Sequence, residues 1–403
     1  MILIILEVIK GTDFMKFKRI FLLILDSLGV GEAIDAVNYK DNGANTLGHI
    51  NEKLDLFVPN LKKIGFLDTI NMNDNPNTEA YYTIAKPTNV GKDSLNGHYE
   101  LLGIKSDIAF NTFNEGFPVE ILTTIENATG RRLIGNKCTN NPLEFVNALG
   151  DRQISYGSLI IFTSADSDIQ LAAHEDCIPV ETLHEYCSRI NKLSNEKGWK
   201  IGRVIARPFT GTSGKYRFIA SGRADFAIDP PEVSILDNLN KANYNVIGIG
   251  KVNDIFNKKG INKVIKSSSN AESINKLIDI MDKKFTGLCM VNLPDFDSLY
   301  GHTRDIDGYA QAIEDLDVEI PIILNKLEVD DLLIITADHG NDPSFSGNDH
   351  TRENVPVIMY CRNFKHPRRI DAFDTFANVG ATIADNFSID KPSLGTSILD
   401  SLE

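Results

Sequence analysis

Six side chains of metal-binding type recur at comparable places in this 403-residue sequence. The apolar run 19–25 (RIFLLIL) continues into Asp26, and the run 287–293 (GLCMVNL) continues into PDFD, with Asp295 and Asp297. A third run, 332–336 (LLIIT), continues into ADHG, with Asp338 and His339. His302 follows Asp297 by five residues, and His350 follows His339 by eleven in the loop GNDPSFSGNDH. In an open parallel sheet the carboxyl ends of the strands border the ligand crevice, so these acids are expected to converge there. Convergent carboxylates repel one another unless a cation holds them, and three Asp with three His are ligands enough for two cations. Mixed carboxylate and imidazole ligation suits manganese or zinc better than magnesium, which prefers oxygen and keeps its water. Taken singly, Asp26 and Asp338 are as readily helix caps and His339 a packed core histidine. Taken as a set of strand-end acids accompanied by histidines and glycine-rich turns, they favour metal.

A hydroxyl stands in a second motif, GKDSLNGHYELLG at 91–103. A Ser on a short turn that opens a helix lies where backbone N–H groups and the helix dipole favour an attached phosphate. Ser94 is that residue, and a divalent cation beside it would lower its pKa and make it a nucleophile. The same position also suits a plain helix N-cap, the commoner role for a serine there.

These residues need a scaffold to bring them together. Five apolar runs, 19–25, 244–249, 287–293, 332–336 and 355–360, read as buried strands of a parallel sheet covered on both faces. Helical periodicity falls between them at 271–283 and 308–327, the second interrupted by Pro321. Strand, helix, strand succession predicts a doubly wound α/β core. Residues 108–228 read differently, with short strands at 158–163 and 201–206, a helix at 179–195 and glycine-rich turns. They are expected to form an inserted α+β cap domain, leaving a discontinuous core of 15–107 and 229–403 with a ligand cleft between. The hinges are expected near 105–109 and 226–231. Residues 1–14 precede a second possible start at Met15 and read as an N-terminal extension with no part in the fold.

Composition bounds the partners. With 41 Lys and Arg against 55 Asp and Glu, the formal charge of -14 repels nucleic acid and anionic lipid at long range. A small anionic substrate stays open, because local cations can reverse the sign inside one cleft. The initial MILIILEVI is about half the ~18 residues of a membrane span and lacks a preceding basic region. Five scattered cysteines form no disulfide framework, which fits the cytoplasm. No sequence feature points to a protein partner.

Six segments carry a resemblance to a known family: LDSLGVGEAIDA (25–36), GANTLGHI (43–50), GKDSLNGHYE (91–100), TSADSDIQLAAHE (163–175), DFDSLYGHTRD (295–305) and ITADHGNDPSFSGNDHTREN (335–354). Together they resemble the phosphopentomutases of the alkaline phosphatase superfamily, from about residue 17 to the C-terminus. TADHGN alone signals only the superfamily, whereas DFDSLYGHTRD with GKDSLNGHYE points to the mutase. The resemblance implies an alkaline phosphatase-like core with a cap, and two Mn2+ per chain, with Zn2+ or another divalent metal as the alternative. One cation site would comprise Asp297, His302 and His350, and the other Asp26, Asp338 and His339, with Ser94 as the phosphorylated nucleophile. Ser164 and Asp166 would meet the sugar, and Arg203, Arg217 and Lys251 its phosphate. The implied substrates are pentose phosphates, with a sugar bisphosphate as activator. His49 and His98 lie in matching segments and are expected to pack or hydrogen-bond locally. Two departures stand out. Ser94 replaces the threonine of well-known bacterial members, and Asp168 stands where an apolar residue is expected, which bears on sugar selectivity. A metal-dependent phosphomonoesterase, a cofactor-independent phosphoglycerate mutase and a catalytically silent metal-binding protein are the competing readings.

Overall fold

A computed structural model describes residues 15–403; the expected extension at 1–14 lies outside the described residues. The chain opens with β1 (Arg19–Leu25), α1 (Thr46–Leu54), α2 (Pro59–Lys63), β2 (Tyr81–Ala85) and α3 (Ser94–Leu101). There follow α4 (Val119–Thr129), β3 (Leu133–Cys138), α5 (Pro142–Tyr156), β4 (Leu159–Thr163), β5 (Asp168–His174), α6 (Val180–Glu196), β6 (Arg203–Thr210), β7 (Arg217–Phe218) and β8 (Ala224–Ala227). It ends with α7 (Ile235–Lys241), β9 (Asn245–Ile249), α8 (Val252–Ile255), β10 (Lys263–Ile265), α9 (Asn270–Met281), β11 (Gly287–Leu293), α10 (Ile306–Lys326), β12 (Asp331–Thr336), β13 (Val355–Tyr360) and α11 (Ala377–Asn386).

The core sheet has the order β10-β9-β11-β1-β12-β13-β2. All seven residues of β1 are buried, as the unbroken apolar run requires of a strand covered on both faces. Its neighbours are β11 and β12, both parallel, with Leu25 opposite Leu293 and Ile24 opposite Thr336. The three acid-bearing strands are therefore adjacent and end together. At the opposite end Arg19 forks onto Asp331, with Nε and Nη2 at 2.8 and 2.5 Å from the two carboxylate oxygens. This buried bidentate pair ties the starts of β1 and β12 and helps hold their register.

Two expectations are corrected. The run 355–360 is a strand but an antiparallel one, paired with β12 on one side and β2 on the other, so the sheet is mixed. Apolarity reports burial on two faces and not strand direction. Pro321 does not interrupt its helix, since α10 runs unbroken from Ile306 to Lys326. Proline frees the carbonyl four residues back, that of Asp317, and Asn60 Nδ2 donates to it at 3.2 Å. The Asp317 carboxylate in turn accepts the first N–H groups of α2, from Asn60 at 2.9 Å and Leu61 at 2.6 Å.

A second sheet, β3-β4-β5-β6-β7 with β8 also on β6, mixes parallel and antiparallel pairs. Its apolar faces have their own cores: Ile125, Leu183 and Ile190 pack with Leu171 and Val204 on one side, Val146 with Phe162 and Phe209 on the other. The molecule is thus an α/β core bearing an α+β cap, the fold class expected. No described helix is long and apolar enough to cross a membrane.

Candidate metal centre beneath the cap

Asp26 lies directly after β1 with no solvent exposure. Its Oδ2 accepts from Asn292 Nδ2 at 3.1 Å and forms an ion pair with Lys251 Nζ, while Oδ1 is buried without a hydrogen-bond partner. Ser27 follows with φ 74°, a left-handed turn that aims its N–H at Asp338 Oδ1, 3.1 Å away. Asp338 Oδ2 is also buried and accepts no aligned hydrogen bond, with His98 Nδ1 2.9 Å away. A carboxylate oxygen without a partner in a buried site, as Asp26 Oδ1 is, costs several kcal/mol unless a cation meets it.

The histidines complete the pattern. His339 Nε2 lies 3.5 Å from Asp26 Oδ1 and 3.4 Å from Asp338 Oδ2. Its Nδ1 lies 3.0 Å from the Gly340 carbonyl, which selects the tautomer that leaves Nε2 a free lone pair. Phe296–Gly301 form a π-helical turn in which His302 N donates to Asp297 O, and this wide turn places both side chains on one face. His302 Nε2 is then 3.2 Å from Asp297 Oδ2, and its Nδ1 is held by the Asn348 carbonyl at 2.7 Å. His350 Nε2 lies 3.4 Å from Asp297 Oδ1 and 3.2 Å from His302 Nε2. Ligands each about 2.1 Å from one cation stand about 3.0 to 3.5 Å apart, so the spacing in both clusters fits a bound divalent metal. All six sequence-picked residues come together, as the groups Asp26, Asp338, His339 and Asp297, His339, His350, with His302 beside the latter.

Without a cation the cluster compensates itself with protons. Burial pulls the histidine pKa values down, but Asp297 outweighs it at His302, raised to about 9, and Asp338 outweighs it at His339, raised to about 10. Burial likewise opposes ionisation of Asp297 and Asp338, and the facing histidines hold both well below the usual carboxylate range.

Ser94 is the first residue of α3 and does not cap it. Asp93 does, accepting from Asn96 N at 3.1 Å, which leaves the Ser94 hydroxyl free. Ser94 Oγ stands 3.2 Å from His339 Nε2 and accepts from Lys251 Nζ at 3.1 Å. The helix can approach this closely because residue 97 is glycine: a Cβ there would fall 1.9 Å from the Asp338 carbonyl oxygen. His98 Nδ1 lies 2.8 Å from the Ser94 carbonyl, and His49 Nδ1 lies 2.6 Å from Asp342 Oδ2.

From the cap, Asp166 reaches the centre: its Oδ1 is 3.4 Å from His350 Nε2 and 3.9 Å from His302 Nε2, and its Oδ2 pairs with Arg203. Burial opposes the Asp166 charge, yet Arg203, His350 and His302 bring its pKa down to about 2. Lys251, expected to meet phosphate, bridges Asp26 and Ser94. Ser164 spends its hydroxyl on Asp168 Oδ2 at 2.7 Å, so the unexpected Asp168 orders the loop that carries Asp166. Arg217 is not brought in: it is exposed on β7, opposite Thr210, seven residues along β6 from Arg203. That is about 23 Å of extended strand. Sequence reasoning passed over Arg207, two pleats from Arg203 on the same strand face. Burial and the nearby Arg223 lower its pKa to about 10, the mark of crowded guanidinium groups. It also passed over Glu353, buried and accepting from Thr46 N at 2.8 Å, Thr46 Oγ1 at 2.7 Å and Thr351 Oγ1 at 2.7 Å, which ties α1 to the loop of His350.

Solved structures resemble this chain at low identity. A Pyrococcus horikoshii protein is 14% identical with a TM-score of 0.49, covering 94% of this chain and 100% of its own. Phosphoglycerate mutase from Leishmania mexicana is 11% identical with a TM-score of 0.44, covering 96% and 98%. An alkaline phosphatase superfamily protein from Vibrio parahaemolyticus is 13% identical with a TM-score of 0.45, covering 95% and 70%. Residues 18–391 match the Metalloenzyme superfamily, and the chain, with its acids and histidines gathered under a cap, belongs to that family of metal-dependent enzymes.

Proposed function

We propose that the chain is a phosphopentomutase, interconverting ribose 1-phosphate and ribose 5-phosphate, or the deoxyribose pair, through a phosphorylated Ser94. The observation that carries this reading is the place of Ser94 Oγ, capped by nothing, within hydrogen-bond distance of both Lys251 and His339. Asp26, Asp338 and His339 would hold one divalent cation and Asp297, His302 and His350 the other, Mn2+ or Zn2+ by ligand type. When bound, the pair supplies Lewis acidity that lowers a hydroxyl pKa and offsets charge on the phosphoryl oxygens.

The chain's own groups then do the following. Ser94 carries the phosphoryl group at the N-terminus of α3, where the helix dipole favours it. A sugar hydroxyl oxygen bonds the phosphorus as the bond to Ser94 Oγ breaks, and the hydroxyl proton ends on Oγ, held beside Lys251 Nζ. The resulting 1,5-bisphosphate reverses, and its other phosphate returns to Ser94, so nothing is consumed. Arg203, with Arg207 and Arg223 nearby, suits the distal phosphate because a guanidinium bonds two oxygens at once. Arg217 has no part in this reading. The cap excludes water, which would otherwise take the phosphate.

The test is an isomerisation assay on ribose 1-phosphate with Mn2+ and a trace of sugar bisphosphate, following ribose 5-phosphate and inorganic phosphate together. Ribose 5-phosphate is expected as the main product, and Ser94→Ala is expected to lose both turnover and the covalent phosphate adduct of about 80 Da seen by intact mass. Inorganic phosphate as the main product would make the enzyme a phosphomonoesterase. Turnover of 3-phosphoglycerate in preference to pentose phosphates would make it a phosphoglycerate mutase. An adduct that survives in Ser94→Ala would remove Ser94 as the nucleophile.

A further inference from the structure

Asp166 stands on the short loop between β4 and β5, and that loop is fixed from every side. Ser164 N and Oγ donate to Asp168 at 3.0 and 2.7 Å, Gly202 N donates to the Ser167 carbonyl at 3.1 Å, and Ser167 Oγ donates to the carbonyl of Asn111 at 2.6 Å. So held, the loop presents one carboxylate to the core. Its Oδ1 meets His350 Nε2 at 3.4 Å and His302 Nε2 at 3.9 Å, and no aligned hydrogen bond forms to either. The separation from His350 is the same as that from His350 to Asp297, which is the spacing of ligands around one shared cation. Asp166, His302 and His350 by themselves satisfy the geometry of a three-ligand cation site. Arg203 takes only the other oxygen, so Oδ1 remains available.

We propose that Asp166 is a cap-borne ligand of the cation held by Asp297, His302 and His350, so that loading this site fastens the cap over Ser94. The inference rests on the two-cation reading and is independent of the pentose substrate. A cation whose ligands come from both bodies binds the closed arrangement more tightly than the open one and shifts the population toward it. Metal occupancy would then set how often the cleft opens, before any substrate arrives.

The experiment measures Mn2+ binding to the metal-free full-length chain by equilibrium dialysis, and protease cleavage of the segments 105–109 and 226–231 with and without Mn2+. Wild type is expected to bind two Mn2+ and to become protected at both segments. Asp166→Asn is expected to weaken one of the two sites at least about tenfold, the loss that even outer partners of a metal ligand bring, and to lose the protection. Arg203→Met guards against a merely structural effect, because it breaks the same ion pair and leaves the carboxylate: it is expected to keep both sites and the protection. Unchanged affinities in Asp166→Asn overturn the proposal, as does loss of protection alike in both variants. Binding of no Mn2+ by wild type would refute the two-cation reading itself.

Discussion

Cation binding should expel protons, and the structure says how many. In the metal-free chain His302 and His339 have pKa values of about 9 and about 10, because Asp297 and Asp338 face them in a buried site. At pH 7 both imidazoles therefore carry a proton where a cation needs a lone pair. Removing it costs about 3 kcal/mol at His302 and about 4 kcal/mol at His339, at ~1.36 kcal/mol per pH unit. Loading both sites at pH 7 should release about two protons per chain, and the apparent affinity of each site should rise about tenfold per pH unit up to pH 9. Titration calorimetry with Mn2+ in buffers of different ionisation enthalpy counts these protons from the slope of observed heat against buffer enthalpy. A slope below one proton per chain would show that the histidines are neutral before the metal arrives, and would refute the charge balance drawn here. The same shifts fix the sign for stability without metal. The histidine contribution is present in full below about pH 6.5 and is lost as pH rises through 9 and 10. The contribution of the depressed Asp297 and Asp338 is present above about pH 4 and is lost in acid. The metal-free protein should thus melt highest between about pH 4 and 6.5, and Mn2+ should abolish the alkaline decline.

Two further substitutions test the scaffold. Gly97→Ala would drive a Cβ into the Asp338 carbonyl, a backbone atom that cannot rotate away, so α3 must shift. Destabilisation of about 1–3 kcal/mol and weaker Mn2+ binding are expected, and a melting point and affinity equal to wild type would refute the close approach. Asp317→Ala leaves the N–H groups of Asn60 and Leu61 without their acceptor and should cost about 2–4 kcal/mol in urea unfolding, with cation binding unchanged. A loss under about 0.5 kcal/mol would mean that water replaces the carboxylate.

The core strands were legible because an apolar run is a direct report of burial, and the acids were legible because they follow such runs at once. Strand direction in β13 was not, since reversal leaves the apolar pattern intact. The helix through Pro321 was misread because its rescue comes from Asn60, over two hundred and fifty residues away, and no local pattern encodes that. Ser94 looked like a cap because the position of a cap and the residue after it differ by one, and only the Asp93 bond to Asn96 decides between them. In the cap, Arg203 and Arg207 share a face by simple alternation, a signal that was present and passed over, whereas Asp168 reads as an anomaly until its bonds to Ser164 are seen.

This contrast has a physical origin in how the two halves of the site are held. Each core group is fixed by a partner of its own: His339 by the Gly340 carbonyl, His302 by the Asn348 carbonyl, and Asp297 by Asn341 Nδ2 at 2.8 Å. Such groups stand at strand ends and on one π-helical turn, so short contiguous motifs encode the ligands, while the supports of His302 and Asp297 come from the loop of Asn341 and Asn348, 46 and 44 residues along the chain. The cap groups converge from β4, β5, β6 and β8 and hold one another, Arg203 to Asp166, Arg207 to Gln170 Oε1 at 3.0 Å, and Arg223 to Asp225 at 2.8 Å. Arg203 and Arg207 reach partners 37 residues away, so their places depend on register between strands, whereas Arg223 and Asp225 are two residues apart. A substitution in the cap network can be answered by its neighbours across the sheet, while the removal of a core acid leaves a buried histidine without its counter-charge, a loss of about 3–5 kcal/mol for a broken buried pair.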